Sequence, residues 1–273
     1  MTLVPPIEFA AGVFLFGLFF GSFFNVCIYR IPRRKSIVYP PSFCPNCRTP
    51  IRFYDNIPLV SFLVLLGRCR KCGTRISWRY PLVELLTGLL FLALAVRFEA
   101  SWIFLRGVLL TCFLIVLAGI DLDVKKIPDV VSLPGLAVGV LSGLLVGAGL
   151  RPAHTLPALH GLATALVGAG VGALVILLSG LFGRWLFRRE AMGQGDILLA
   201  ALIGSYLGWK SMLLAVFVAA VIGVLVGTIL ALATRNRVFG RQIPFGPYLA
   251  LAALLAYFWG PAILSWYWRL LGH

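Results

Sequence analysis

The chain has 273 residues, of which 60% are hydrophobic and only 12% charged, with a mean hydropathy of +0.98. A soluble domain is about 45–50% apolar and about 25% charged, and a chain of this length cannot bury so much apolar surface in water. The composition excludes a soluble enzyme, a nucleic-acid-binding domain and a disordered chain, so the net charge of +15 is read first as a topology signal.

Apolar stretches fall near 9–29, 80–98, 102–121, 130–150, 157–183, 196–209, 211–233 and 245–264. Most approach the length of a membrane-crossing helix, whereas a barrel would show short alternating strands. The predicted fold is an all-α polytopic membrane protein of about eight transmembrane helices. The run 196–209 is the shortest and reaches only ~21 Å as a helix. Met1 to Glu8 carries no basic residue and no small-residue cleavage site, so it reads as the lead-in to a retained span.

With eight spans the connecting loops alternate sides. The loops 30–79, 122–129, 184–195 and 234–244 together hold nineteen of the 24 Lys+Arg, from Arg30, Arg33, Arg34 and Lys35 through Lys125 and Lys126 to Arg184, Arg188, Arg189, Arg235, Arg237 and Arg241. Arg97, Arg106, Arg151, Lys210 and Arg269 make up the rest. This asymmetry places the basic loops in the cytoplasm and both termini outside. Only 30–79 is long enough for a small domain. Its apolar run Ile57 to Leu66 is too short to span and reads as a re-entrant or interfacial piece, or as the core of the loop.

Four of the six cysteines form Cys44-x2-Cys47 and Cys69-x2-Cys72 within that loop. Two such knuckles supply four thiolates for a tetrahedral ion, and Zn²⁺ suits them best. Pro45, Arg48 and Gly73 fit the tight turns required. A closed four-thiolate site is structural, not catalytic. A redox dithiol and unmetallated thiols are the alternatives. Cys27 and Cys112 lie in apolar spans and read as core residues.

Acidic residues are few: Glu8, Asp55, Glu84, Glu99, Asp121, Asp123, Asp129, Glu190 and Asp196. Asp121 ends the third span and Asp196 opens the sixth, after Gly193-Gln194-Gly195. The topology, drawn from Lys and Arg alone, puts both at the same membrane face. A carboxylate at membrane depth is costly and is a functional candidate by default. Two that approach closely cannot both ionise easily, so one can serve as acid and the other as base. That pairing suits peptide hydrolysis by an activated water. The competing reading has both aspartates capping helix ends or pairing with Lys125, Lys126 or Arg184. Asp129 follows Pro128 at a predicted helix start and reads as a cap or auxiliary group. Helix-terminus electrostatics accounts for Glu84. In Gly168-Ala169-Gly170-Val171-Gly172 the glycines favour close helix packing over phosphate binding.

Other arrangements fail on inspection. His154, His160 and His273 fall in or near the exterior set, so a Ser–His–Asp site at the aspartates has no histidine. No metalloprotease helix motif and no P-loop is present. A proton-coupled transporter would want acids mid-span, whereas these sit at span ends. A non-catalytic assembly protein presenting a zinc knuckle would tolerate Asn at both aspartates.

The motifs together resemble the bacterial type IV prepilin peptidases. Gly21-Ser22-Phe23-Phe24-Asn25-Val26-Cys27-Ile28-Tyr29-Arg30-Ile31-Pro32 is similar to that family's opening signature. The paired cysteine knuckles follow, with Asp55-Asn56-Ile57-Pro58-Leu59-Val60-Ser61 between them and Arg79-Tyr80-Pro81-Leu82-Val83-Glu84 after them. Asp121-Leu122-Asp123 through Ile127-Pro128-Asp129 resembles the first aspartate motif. Gly193-Gln194-Gly195-Asp196 resembles the G-x-G-D signature of intramembrane aspartyl proteases, and Ile243-Pro244-Phe245-Gly246-Pro247 the C-terminal Pro–Gly motif.

The resemblance implies cleavage of prepilins and pseudopilins after a glycine at the cytoplasmic face of the bacterial inner membrane. It also implies N-methylation of the new terminus from S-adenosylmethionine, an activity that no residue pattern here indicates independently. By carry-over Asp121 and Asp196 are the catalytic pair, and Cys44, Cys47, Cys69 and Cys72 hold structural zinc. Relatives confined to peptidase activity lack the cysteines, which favours the two-activity form. The expected partners are pilin substrates with a hydrophobic N-terminal helix, and membrane lipid, without nucleic acid. The expected organisation is a first transmembrane helix at 1–29, a cytoplasmic zinc-binding domain at 30–79 and a transmembrane aspartyl protease domain at 80–273.

Overall fold

The computed structural model describes residues 6–149, 157–187, 193–233 and 244–271. His154, His273, Arg151, Arg188, Arg189, Glu190, Arg235, Arg237, Arg241 and Ile243 lie outside the described residues. The chain is helical: α1 Ile7–Arg30, α2 Val60–Val64, α3 Arg79–Phe98, α4 Trp102–Val124, α5 Asp129–Gly149, α6 Pro157–Phe187, α7 Gln194–Ala233 and α8 Gly246–Leu270. Six of these (α1, α3, α4, α6, α7 and α8) are long and apolar enough to cross a bilayer, and α5 contributes a shorter apolar stretch, Asp129–Leu144. The protein is thus a polytopic helical membrane protein, as its composition requires. Residues 1–116 and 117–273 form two compact units.

In the first unit α1 and α3 pack closely, and small residues set the register. A Cβ on Gly17 would sit 2.8 Å from the Gly88 Cα, and one on Gly21 would sit 2.6 Å from the Glu84 Cα. One turn further, Asn25 Nδ2 donates to the Tyr80 carbonyl at 3.1 Å. Positions 17, 21 and 25 therefore meet 88, 84 and 80 in antiparallel order. Small residues let two backbones approach where lipid gives no hydrophobic drive for association. This packing gives the opening Gly21–Asn25 signature a structural reason.

Beyond α1 the chain turns sharply. The buried Arg30 donates to the Ser36 carbonyl at 2.9 Å and the Pro40 carbonyl at 2.7 Å, fixing the start of the loop. The run Ile57 to Leu66 forms α2 and its flanks. It is not the buried core of the loop, because Val60, Leu63, Val64 and Leu66 are exposed.

Glu84 is also more than a helix-terminus charge. It is buried, its Oε2 accepts the Leu59 N–H at 2.9 Å, and it is hydrogen-bonded by the Ser22 side chain. This long-range contact has no signature in local spacing.

In the second unit α7 packs on α5, α6 and α8. At 40 residues α7 would be ~60 Å long as one helix, twice the ~30 Å hydrocarbon core. It divides at Gly208, whose φ of 72° and ψ of 167° leave the helical region. The two runs expected at 196–209 and 211–233 are these two halves. Gly168 and Gly204 bring α6 against α7: a Cβ on either would collide with the other's carbonyl oxygen. Gly172 likewise faces the Ala200 carbonyl, whereas Gly170 faces open space. Two of the three glycines in the expected packing stripe therefore carry it.

Candidate active site and metal centre

Both cysteine knuckles fold the same way. The Cys44 N–H donates to the Thr49 carbonyl at 3.0 Å and the Arg48 N–H returns to the Cys44 carbonyl at 2.9 Å. In the second knuckle the Cys69 N–H donates to Thr74 at 2.8 Å and the Gly73 N–H to Cys69 at 2.9 Å. Arg48 (φ 55°) and Gly73 (φ 70°) occupy equivalent left-handed positions. One short bridge closes each knuckle, Phe43 to Pro50 and Arg68 to Arg75.

The four sulfurs of Cys44, Cys47, Cys69 and Cys72 lie within 4.8 Å of one another. Cys44 and Cys72 are 3.8 Å apart, and Cys47 and Cys69 are 3.9 Å apart. Four sulfurs ~2.3 Å from a central zinc would have edges of about 3.8 Å, so the donor set fits that ion. The neighbours favour thiolate. Asn46 Nδ2 donates to Cys72 Sγ at 3.6 Å, and the Thr74 side chain and backbone together with Asn46 bring the Cys72 thiol down to about 5. Thr49 lowers Cys47 in the same manner. Asp55 grips Arg70 through Nε and Nη2 at 2.6–3.1 Å, tying the turn Phe53–Asn56 to the second knuckle.

The carboxylates lie in the second unit. Asp121 sits in the last turn of α4 and is buried, and Asp196 sits in the first turn of α7 and is half-buried. Each is held by a glycine amide. Gly246, the first residue of α8, donates its N–H to Asp121 Oδ2 at 3.0 Å. Gly193 donates to Asp196 Oδ2 at 3.1 Å. The second donation is a helix-start interaction; the first is one made between helices, and both put negative charge where helix N-termini favour it.

A Cβ on Gly195 would lie 2.7 Å from the Ile127 Cβ, so the second aspartate motif rests directly on the connector that follows the first. That connector is fixed at its start, where the Lys125 N–H closes on the Asp121 carbonyl at 2.9 Å. Three segments that resembled family motifs thus meet at one end of the helices. Asp123 and Asp129 are exposed, and Asp129 is the first residue of α5. The part played by the Gly246 amide was missed in the sequence. The sequence marked Gly246 as part of the Pro–Gly segment Ile243–Pro247 but gave no sign of its partner.

Comparison with known proteins identifies the family. A profile described as the Bacterial Peptidase A24 N-terminal domain matches residues 15–98, and the Type IV leader peptidase family matches residues 108–228. A protein of Aeromonas salmonicida is 39% identical, covering 93% of this chain and 92% of its own length. The chain belongs to the type IV leader peptidase family. Further members include proteins of Neisseria gonorrhoeae, 36% identical over 88% of this chain and 87% of theirs, and Pseudomonas aeruginosa, 35% identical over 98% and 96%. All three carry the name prepilin leader peptidase/N-methyltransferase. No solved structure matches the chain. The type IV leader peptidase match runs through both Asp121 and Asp196, and the N-terminal match takes in the four cysteines.

Proposed function

We propose that this protein is a membrane aspartyl endopeptidase that removes the leader of type IV prepilins and pseudopilins, and that it methylates the new N-terminus. Family membership and the shared name of its relatives support both activities. What supports the chemistry is that Asp121 and Asp196 are each oriented by a glycine N–H, with Gly195, next to Asp196, packed against Ile127 in the connector that follows Asp121.

One aspartate, ionised, takes a proton from water as the oxygen attacks the scissile carbonyl carbon. The other, protonated, donates to the carbonyl oxygen. Collapse of the tetrahedral intermediate breaks the C–N bond and returns a proton to the leaving amine. A coupled pair titrates as a unit, so the two roles belong to the dyad. No covalent intermediate is needed. The site lies at the cytoplasmic face of the bacterial inner membrane, a placement supported by the bias of basic residues towards loops on that side.

Cys44, Cys47, Cys69 and Cys72 would hold Zn²⁺, which would stabilise the fold of the loop. S-adenosylmethionine, when bound, supplies the methyl group; that cofactor rests on the relatives' name.

The test is purified protein in lipid with a prepilin substrate, with Asp121→Asn and Asp196→Asn made separately. Loss of cleavage in both variants, with the fold and zinc content kept, is expected. Full cleavage by either overturns the proposal.

A further inference from the structure

We propose that α2 and its flanks form a foot by which the cysteine loop docks into the anionic leaflet of the membrane that α1 and α3 cross. The depth of α2 is set by its contacts with α3. Glu84 lies five residues into α3, ~7.5 Å along its axis, and its carboxylate holds the Leu59 N–H at 2.9 Å. The start of α2 is thereby level with the first turns of α3, where Leu82 is already 59% exposed as a lipid-facing residue.

The outward face of α2 is apolar. Val60, Leu63 and Val64 share one face by their i, i+3, i+4 spacing and are 53%, 68% and 69% exposed. Leu66 follows at 85%. The inward side is occupied: Ser61 Oγ donates to the Tyr54 carbonyl at 2.9 Å, and the Phe62 ring packs on Trp78 with centroids 4.8 Å apart. An apolar face of this kind beside a span is the pattern of an interfacial helix. Trp78 and Tyr80, at the start of α3, are the amphipathic rings favoured at headgroup level.

Charge complementarity names the partner. The segment 30–79 has eleven Lys and Arg against the single acid Asp55, which is already paired with Arg70. Arg68, Lys71 and Arg75 closely follow the apolar face. A basic segment at this depth is attracted to anionic headgroups. The inference needs the membrane reading only and is independent of peptidase activity.

The test places a photoreactive benzoylphenylalanine at Leu63, at Leu82 and at Arg48 in separate full-length proteins. Each is reconstituted in bilayers of phosphatidylethanolamine with phosphatidylglycerol, or of phosphatidylcholine alone. The Leu63 probe is expected to label phospholipid as strongly as the Leu82 probe in the anionic bilayer, to fall several-fold in phosphatidylcholine, and to exceed Arg48. Exchange of amides 57–66 should be slowed by the anionic bilayer and should speed up in Leu63→Asp. Labelling of a second copy instead of lipid, labelling at Leu63 no stronger than at Arg48, equal labelling in both bilayers, or exchange of amides 57–66 unaffected by bilayer charge or by Leu63→Asp would each overturn the proposal.

Discussion

The Gly246 N–H donates to Asp121 Oδ2 at 3.0 Å across 125 residues of chain. A Cβ at Gly246 would lie 2.7 Å from that same oxygen. The atom displaced would be the end of a side chain, so the fold can absorb the change, but the carboxylate cannot keep its place. Gly246→Ala should therefore keep thermal stability and zinc content while cleavage falls about 100-fold, the order expected for an ångström-scale misplacement of a reacting group. Near-normal cleavage would show that the orientation of Asp121 does not matter.

The two glycines before Asp196 should differ. A Cβ on Gly195 would press on the Ile127 Cβ at 2.7 Å and its carbonyl oxygen at 3.0 Å, both close to rigid backbone. A Cβ on Gly193 would meet only Asp196 Oδ2, at 3.7 Å. Gly195→Ala is expected to lower both activity and melting temperature, and Gly193→Ala to do much less. Paired activity and thermal-shift measurements check the order.

Thr74 and Asn46 lower the Cys72 thiol and so favour the form that binds metal. Asn46→Ala and Thr74→Val should each weaken zinc roughly 10-fold, in line with other neighbours of metal ligands, without changing the stoichiometry of one ion per chain. Cys72→Ser should reduce the stoichiometry itself. Chelator competition measures the first effect and elemental analysis the second.

Along the stripe of α6, substitutions of one chemistry should have opposite signs. Gly168→Ala drives a Cβ into the Gly204 carbonyl, and overpacking of this kind costs about 1–3 kcal/mol. Gly170→Ala meets nothing within 4 Å and removes a helix-interior glycine, which favours the helix by about 0.5–1 kcal/mol. Unfolding in detergent should separate the two variants clearly.

Much of this was legible in the sequence because charge is scarce in so apolar a chain. Asp121 and Asp196 stood out as carboxylates at span ends, and the paired cysteines stood out by spacing. Hydropathy placed every helix end but the last of α8 within four residues, since burial of backbone polar groups in lipid leaves few alternatives to a helix. What escaped was tertiary. Nothing near Gly246 states that its amide will meet a carboxylate 125 residues earlier. Glu84 looked like a helix-start charge because its partner, the Leu59 amide, lies 25 residues away in another element. The apolar run Ile57 to Leu66 fitted a buried core as well as an interface, because periodicity over so few residues does not say which side is covered. The division of α7 fell at Gly208, one residue before the expected limit of the sixth run at 209, because only glycine takes a φ of 72° without strain.

The register of Gly17, Gly21 and Asn25 on Gly88, Glu84 and Tyr80 acts as a ruler for everything between them. A shift of one turn would set Val13 in place of Gly17 against Gly88 and take Asn25 away from the Tyr80 carbonyl, so both the closest approach and the cross-helix hydrogen bond would be lost. The hairpin of α1 and α3 can thus close in a single alignment, which holds Arg30 and Arg79 at neighbouring helix ends before any metal arrives. The entropy of closing the long segment between them is then met by membrane packing, and an ion at the four sulfurs would have only to gather them on a tether already cut to length.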